Sequence, residues 1–322
     1  MTADASAHAP YIRILNTFFK LVGSQEDGYY RGILTNGKHE ENTDIVYLFA
    51  VAPDAVVFDI GANIGCTSLL MSLLCNKGMV YSFEPSDMAF RFLQKNITNN
   101  GIKNIIAHNI AFSDREGALN FCQSATFTAG SFSVPDGATE DHFKSKKTPC
   151  LTLDKFCDDN KIKSVDFVKI DVEGAELDVL RGGENFFRHY KPRCLIEFNS
   201  WTLINYRQIL PKNLLDYIFS VFDHVCSVDR ETGFLTPLLS ESDKLHFLSH
   251  NLYYGFVDNL YCFFNDQSSM VVESYIESLM KRRGKKVDSY KPGELEAVYN
   301  SFSWKITEPL RKVKSFLARK MK

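Results

Sequence analysis

The residues best suited to binding a ligand lie in segment 56–68, which reads VVFDIGANIGCTS. An acid, Asp59, interrupts an apolar run, and Gly61 and Gly65 follow it on either side of Asn63. A glycine-rich turn between a buried strand and a helix lets backbone approach a ligand closely and presents free helix N–H groups to it. The segment therefore predicts a cofactor site, and the alternative is a tight turn that binds nothing.

The residue types in this turn separate the classes of cofactor. No Lys-Ser or Lys-Thr pair follows the glycines, so the turn is not the P-loop of nucleoside triphosphatases. The glycines are spaced GxxxG rather than GxGxxG, which weakens the case for a dinucleotide. The carboxylate of Asp59 suits a cofactor with a cationic amine or sulfonium better than it suits a pyrophosphate.

Two later segments predict contacts to the nucleoside part of such a cofactor. Glu84 follows the apolar run 79–83 and precedes Pro85. A carboxylate at the end of a second strand can accept hydrogen bonds from both ribose hydroxyls, although a surface acid before a turn is the alternative. Segment 109–112 leaves the third predicted strand, and we expect Asn109 and Ala111 to lie against the adenine.

A second group of acids follows two further apolar runs. Asp171 and Glu173 come after DFVKI, and Glu197 holds the corresponding place in LIEFN. The carboxyl ends of neighbouring parallel strands meet at one edge of a sheet, so we expect these acids to converge over the cofactor. Acids in a first helical turn also complement the helix dipole, which explains Glu176 and is the alternative for Asp171 and Glu173.

These residues require a scaffold in which short strands alternate with helices. Apolar runs predict strands at 55–60, 79–83, 104–112, 166–170, 193–199, 222–228 and 259–264. Helical patterns fall at 66–74, 87–100, 151–162 and 174–183, and 117–123 is a candidate antiparallel strand. The alternation predicts an α/β fold with a doubly wound, seven-stranded, mostly parallel sheet. We expect a helical N-terminal region over 1–50, a catalytic domain over 51–265 and a helical extension over 266–322.

Six segments occur in the order and approximate spacing of the FkbM family of S-adenosylmethionine-dependent methyltransferases: FDIGANIGCTS, YSFEPS, AFSDREG, TLDKF, VKIDVEGAELDVLRGG and LIEFN. The chain resembles this family over about residues 56–200. The resemblance implies a class I methyltransferase fold, S-adenosyl-L-methionine as cofactor, and O-methylation of a sugar hydroxyl in a bacterial surface polysaccharide, glycolipid or related glycan.

The resemblance also implies roles for the residues named above. The methionine moiety of the cofactor would be held by Asp59, Gly61, Asn63 and Gly65, and the ribose by Glu84. Asp171, Glu173 and Glu197 would line the reaction centre.

A sugar hydroxyl must lose its proton during methyl transfer. We expect either Asp171 or Glu197 to accept it, or these acids to bind Mg2+, since hard divalent cations prefer oxygen ligands. The polar segment 124–149 shows no clear period and predicts a lid over the acceptor. Its Phe127, Phe132 and Phe143 would stack on sugar rings or be buried under the loop.

Composition bounds the partners and the compartment. The net charge of −2 disfavours nucleic acid. Eight scattered cysteines without a CxxC pair predict free thiols in a reducing cytoplasm, and neither a secretory signal nor a long apolar run is visible. Segment 305–322 combines seven Lys or Arg residues with one acid and an apolar helix face, so it predicts peripheral contact with the inner face of the membrane. A solvated terminus, or a helix packed on the domain, is the alternative.

Two other functions compete with the methyltransferase prediction. An NAD-dependent oxidoreductase is disfavoured by the GxxxG spacing and by the absence of a Tyr-xxx-Lys motif. A non-catalytic scaffold of a polysaccharide-synthesis complex would not need the cofactor motif, although fold alone does not prove activity.

Overall fold

The computed structural model describes residues 10–37, 44–123, 132–134, 144–229, 233–254 and 257–267. The basic segment 305–322, Phe127 and Phe143 lie outside these residues. Membrane contact through the first, and stacking on a sugar by the other two, therefore stay predictions.

The N-terminal region combines a β-hairpin with two helices, namely β1 (Tyr11–Ile14), β2 (Thr17–Lys20), α1 (Gly28–Asn36) and α2 (Asp44–Ala50). The prediction of a helical region holds for α1 and α2 but not for the hairpin. Ile12 and Ile14 are buried and alternate with exposed residues, as in a strand with one covered face. Leu15, with φ of 52°, makes the tight turn.

The strands that follow form one large and one small sheet. In chain order they are β3 (Val56–Ile60), β4 (Met79–Phe83), β5 (Ile105–His108), β6 (Ala111–Phe112), β7 (Gly117–Gln123), β8 (Phe132–Val134), β9 (Lys144–Leu151), β10 (Phe167–Ile170), β11 (Arg193–Asn199), β12 (His224–Val228), β13 (Leu235–Pro237) and β14 (Val257–Phe263). The helices are α3 (Cys66–Leu74), α4 (Asp87–Asn99), α5 (Leu153–Asn160), α6 (Glu176–Arg181), α7 (Glu184–Tyr190), α8 (Ser200–Asn205), α9 (Pro211–Val221) and α10 (Glu241–Tyr254), and the described chain ends in a 3₁₀ turn, Asn265–Gln267.

The large sheet has the predicted doubly wound architecture, with strand order β13-β12-β14-β11-β10-β3-β4-β5. Pairing is parallel from β5 to β11, whereas β14 is antiparallel to both of its neighbours. All seven predicted strands are present, and the additional strand, β13, is a three-residue edge strand. The order in which the strands are added to the sheet reverses between β3 and β10, and open α/β sheets bind ligands beyond the carboxyl ends of strands at such a point.

A small sheet with order β6-β9-β7-β8 includes the described parts of the segment predicted as a lid, residues 132–134 and 144–149. β7 and β9 pair antiparallel along their length, so the polar residues 144–147 belong to a strand. An antiparallel sheet with one solvated face accepts such residues. The third predicted strand divides at segment 109–110, because β5 stays in the large sheet while β6 pairs with β9.

Helices cover both faces of the large sheet and create two apolar cores. Val57 of β3 packs in the core formed with α2 and α3, whereas Phe58 and Ile60 pack in the core formed with α5 to α9. Because strand side chains alternate between faces, the carboxylate of Asp59 lies on the α3 side. The sheet thus buries an acid one residue before its carboxyl edge.

All eight cysteines are buried as free thiols, as the sequence analysis predicted. Burial raises the pKa of the Cys157 and Cys226 thiols to about 12. Within the described ranges, no helix combines the length and apolar character needed to cross a membrane.

Candidate active site

The carboxyl edge of the large sheet brings the predicted acids together. Strand pairing aligns Ile170 of β10 with Ile196 of β11, so the residues that follow them, Asp171 and Glu197, are neighbours. The loop after Asp171 carries Glu173, which has a φ of 54°, a left-handed conformation that is uncommon for residues other than glycine. The structure thus places all three predicted reaction-centre acids at one edge.

Burial and repulsion between carboxylates raise the pKa of two of these acids, Glu173 and Glu197. Burial raises the pKa of Glu197 well above its ordinary value, and the charges of Asp171 and Glu173 raise it further. The same two causes, burial and the Asp171 charge, raise the pKa of Glu173 to about 8. Glu197 Oε2 is buried and has no hydrogen-bond partner among the described residues.

Lys169 is the cation beside these acids, and it was not predicted from the sequence. Its Nζ lies 2.9 Å from Asp171 Oδ2 and 3.8 Å from Asp59 Oδ1, and it donates to Gly61 O at 3.4 Å. Burial alone would lower the pKa of Lys169, but the two carboxylates outweigh burial and raise it. The available signal was a lysine inside the apolar run DFVKI, where a charge needs a partner.

Asp59 contacts protein groups. Its side chain is fully buried, and its Oδ2 accepts a hydrogen bond from Ser68 Oγ of α3 at 2.5 Å. Ser68 Oγ lies 2.8 Å from Ser82 Oγ of β4. Lys169 lies beside the other carboxylate oxygen of Asp59 and links Asp59 to the edge of the sheet. Direct contact of Asp59 with the cofactor stays a prediction.

The two glycines of the turn make room for protein rather than for a ligand. A Cβ on Gly61, which has φ of 85°, would lie 1.7 Å from the carbonyl oxygen of Asp171. A Cβ on Gly65, which has φ of 95°, would lie 2.5 Å from Leu93 Cδ1 on α4. Their first function is therefore to let β3 meet β10 and α3 meet α4, and cofactor contact by either glycine stays a prediction.

Glu84 is held in place by backbone N–H groups of the two loops that follow β3 and β4. Its Oε2 accepts from Asn63 N and its Oε1 from Ser86 N, each at 2.8 Å. Burial raises the pKa of Glu84 to about 7, although these two hydrogen bonds oppose the shift. Asn63 adopts φ of 50°, and its Oδ1 is buried without a partner. The turn and Glu84 thus form one structural unit.

The two residues predicted to contact adenine occupy different surroundings. Asn109 is partly buried and donates from Nδ2 to Glu84 O at 2.8 Å, so it lies next to the ribose candidate. Ala111 packs with Leu119 and Cys150 in the small sheet, because the chain leaves the large sheet after His108. The structure brings Asn109 beside Glu84 and places Ala111 in a separate small core.

Glu176 fixes the loop that follows Asp171 and carries Glu173. Its Oε1 accepts from Val172 N at 3.0 Å and Gly174 N at 3.2 Å, and its side chain is fully buried. This agrees with the structural role predicted for Glu176. It also explains how Glu173 is kept in its unusual backbone conformation.

Glu176→Gln is expected to stabilise the ligand-free protein at high pH. Burial raises the pKa of Glu176 from 4.5 to about 7, so its contribution to stability is complete below pH 4.5 and is lost as the pH rises through about 7. Glutamine cannot ionise and keeps an oxygen for the two backbone donors. We expect equal unfolding free energies near pH 4.5 and an advantage of up to about 3 kcal/mol for glutamine above pH ~8, measured by chemical denaturation. An advantage of one size at both pH values would contradict this titration.

The structure gives no support to the predicted Mg2+ site at Asp171 and Glu197. In the part of the chain that is described, no group of three or more His, Cys, Asp or Glu side chains is arranged to hold a metal ion. The positive charge beside Asp171 is instead the ammonium of Lys169.

Comparison with known proteins identifies the family. The model of the methyltransferase FkbM domain matches residues 59–234, more than half of the 322 residues. The chain belongs to the FkbM methyltransferase family. The match contains the glycine turn, Glu84 and all three reaction-centre acids, and it extends beyond residue 200, where the sequence resemblance ended.

Relatives of this FkbM protein include enzymes named for O-methylation and for a sugar acid. The 2-O-methyltransferase NoeI of Sinorhizobium fredii is 27% identical over 144 residues, which are 41% of this chain and 58% of the relative. The hexuronic acid methyltransferase AglP of Haloferax volcanii is 30% identical over 132 residues, 41% of this chain and 51% of the relative. The chain thus spans little more than half the length of these two relatives.

A solved structure of a methyltransferase FkbM from Methylobacillus flagellatus is also similar to the chain. It is 17% identical, with a TM-score of 0.41, over 66% of this chain and 44% of that one.

Proposed function

We propose that this chain transfers the methyl group of S-adenosyl-L-methionine to a sugar hydroxyl in a bacterial surface polysaccharide, glycolipid or related glycan. The observation that carries the proposal is a buried carboxylate, Glu84, oriented by two backbone donors at the sheet edge that also carries Asp171, Glu173 and Glu197. Membership of the FkbM family supports methyl transfer. The names of NoeI and AglP support a hydroxyl and a sugar as the acceptor.

The residues at this edge fit a cofactor that carries cationic groups and a ribose. Each oxygen of Glu84 accepts one backbone hydrogen bond and retains a lone pair for a ribose hydroxyl. Asn63 Oδ1 and Glu197 Oε2 are buried acceptors without partners, as expected for groups that meet donors of a bound molecule. When bound, the cofactor supplies an electrophilic methyl group on a sulfonium, which the surrounding acids favour electrostatically.

Asp171 is better placed than Glu197 to accept the proton of the hydroxyl. Burial and the charges of neighbouring acids raise the pKa of Glu197 well above its ordinary value, which disfavours the ionised form that a base needs. Asp171 pairs with Lys169, and a third of its side chain is exposed, so an incoming hydroxyl can reach it. Alignment of the hydroxyl and removal of its proton are the two tasks left to the protein.

Aromatic side chains lie on the α8 side of the same edge. Phe132 is fully buried and stacks on Tyr206 with ring centroids 3.5 Å apart, so protein contacts occupy it, as in the burial alternative. Trp201, the second residue of α8, is 44% exposed and meets the Tyr206 ring edge-on at 4.9 Å. An exposed indole here offers an apolar face to a sugar ring.

Mass spectrometry of the acceptor tests the proposed function. The protein is incubated with S-adenosyl-L-methionine and a panel of sugars, nucleotide sugars and lipid-linked glycans. We expect one acceptor class to gain a methyl group on oxygen, together with an equal amount of S-adenosylhomocysteine. Cofactor binding without methyl gain by any member of a panel that includes hexuronic acids would contradict the sugar acceptor.

A further inference from the structure

Lys169 is a charged residue in the interior of the large sheet. Its strand neighbours Val168 and Ile170 are fully buried, and only 12% of its own side chain is exposed. A buried ammonium costs several kcal/mol unless carboxylates pair with it and accept its hydrogen bonds. The position of Lys169 therefore depends on its partners.

One partner, Asp59, lies on the neighbouring strand β3, and the other, Asp171, directly follows the lysine's own strand β10. Parallel pairing sets Lys169 opposite Asp59, so both side chains leave the same face of the sheet. Asp59 is fully enclosed and bonded to Ser68, whereas Asp171 stands at the edge and is partly exposed. The ammonium lies 1 Å or so closer to Asp171, at 2.9 Å against 3.8 Å. Lys169 thus connects an enclosed acid inside the sheet, Asp59, to a partly exposed acid at its edge, Asp171.

We propose that Lys169 is a positioning residue that fixes the Asp171 carboxylate at the sheet edge, with Asp59 as the buried counter-ion of the lysine. The proposal rests on the proposed function for its catalytic meaning, because Asp171 is the base in that function. It gives Asp59 a role inside the protein in place of a contact to the cofactor.

The other ionisable groups around this pair are acidic. They come from four directions, and they are Tyr47 on α2, Glu84 after β4, Glu173 and Glu176 after β10, and Glu197 on β11. None of them offers Asp171 a positive charge. Lys169 is thus the cation beside Asp171 that can hold the carboxylate in one orientation.

A set of variants tests this role through the rate. The single variant Lys169→Met would leave the buried Asp59 carboxylate without its cation. The main variant is therefore Asp59→Asn/Lys169→Met, which removes both charges of the ion pair. We expect its kcat to fall about 100-fold, with S-adenosylhomocysteine binding within about threefold of wild type. Lys169→Arg should recover most of the rate. Asp59→Asn alone should retain cofactor binding, and Lys155→Met, at an exposed lysine, is the control.

A triple variant separates positioning from a general structural role. Because Lys169 acts through Asp171, Asp59→Asn/Lys169→Met/Asp171→Asn should be no slower than Asp171→Asn alone. A further loss of kcat in the triple variant, or loss of S-adenosylhomocysteine binding in Asp59→Asn, would overturn the proposal.

A spectroscopic measurement tests the same contact without any turnover. Carboxyl carbons of 13C-labelled aspartate are observed by NMR at one pH, and the Asp171 signal is assigned as the one missing in Asp171→Asn. We expect the Asp171 signal to move in Asp59→Asn/Lys169→Met relative to Asp59→Asn, because the ammonium 2.9 Å from its Oδ2 is lost. An unchanged signal would overturn the role of Lys169 even if sugar methylation is found. A shifted signal in a protein that methylates no sugar would refute only the proposed function.

Discussion

Gly61→Ala is expected to destabilise the protein by at least about 4 kcal/mol and to abolish cofactor binding. The new Cβ would lie 1.7 Å from the carbonyl oxygen of Asp171, which is backbone and cannot rotate away. The positive φ of 85° adds strain for any residue with a Cβ. Relief would require β3 and β10 to separate at the edge where the reaction-centre acids lie. Chemical denaturation and calorimetry with S-adenosylhomocysteine measure the two effects.

Gly101→Ala is the matched control for this collision. Gly101 also has a positive φ, of 64°, but a Cβ there would meet no atom within 4 Å. We expect a cost of about 1 kcal/mol and unchanged binding, since conformational strain alone remains. Equal costs for the two alanine variants would contradict the close approach of Gly61 to β10.

Asp171→Asn is expected to lower kcat about 1,000-fold and to leave the affinity for S-adenosylhomocysteine within about fivefold. Asparagine is isosteric and can still accept a hydrogen bond from Lys169, but it cannot take a proton from the acceptor hydroxyl. The rate of methyl gain under saturating cofactor and acceptor measures the effect. The exposed Asp216, which pairs with Lys212 on α9, provides the control Asp216→Asn.

A wild-type rate in Asp171→Asn would remove Asp171 from the role of base. If Glu197→Gln then abolished turnover, the proton acceptor would be Glu197, the other acid that the sequence nominated.

The elements around the cofactor turn were predictable because local signals mark their ends. The predicted helix 66–74 and strand 79–83 agree with α3 and β4 residue for residue. Gly65 precedes the helix and Pro85 follows the strand, and both residue types interrupt regular structure. The convergence of Asp171 and Glu197 followed from the same reasoning, because it needs only two parallel strands in register.

Features that depend on distant partners were not predictable. The polar strand β9 forms because β7, some 27 residues earlier in the chain, supplies its hydrogen bonds, and Lys-Ser-Lys-Lys alone indicates a loop. The divergence of β6 from β5, which places Ala111 in the small sheet, likewise depends on pairing with β9. The residues around Ala111 gave no sign of it.

Within the site, the sequence could not show which charges meet. Lys169 and Asp59 lie 110 residues apart in the chain and become partners only through the pairing of β3 with β10. The reason for Gly61 was also hidden, because the atom it accommodates belongs to Asp171. The sequence therefore suggested a ligand contact for Asp59 and did not reveal its protein cation, Lys169.

The most direct test of a cofactor site built around Glu84 is calorimetric titration with S-adenosylhomocysteine of wild type, Glu84→Gln and Asp87→Asn. Wild type should bind one equivalent with a Kd of roughly micromolar, and Glu84→Gln should bind about 100-fold more weakly. In Glu84→Gln, the NH2 group would face a backbone donor, either Asn63 N or Ser86 N, and could not accept its hydrogen bond. The NH2 group also could not accept a hydrogen bond from a ribose hydroxyl. Asp87→Asn, which removes an exposed carboxylate paired with Lys146, should bind as wild type does. Absence of binding by the wild type, or equal binding by wild type and Glu84→Gln, would contradict the site described here.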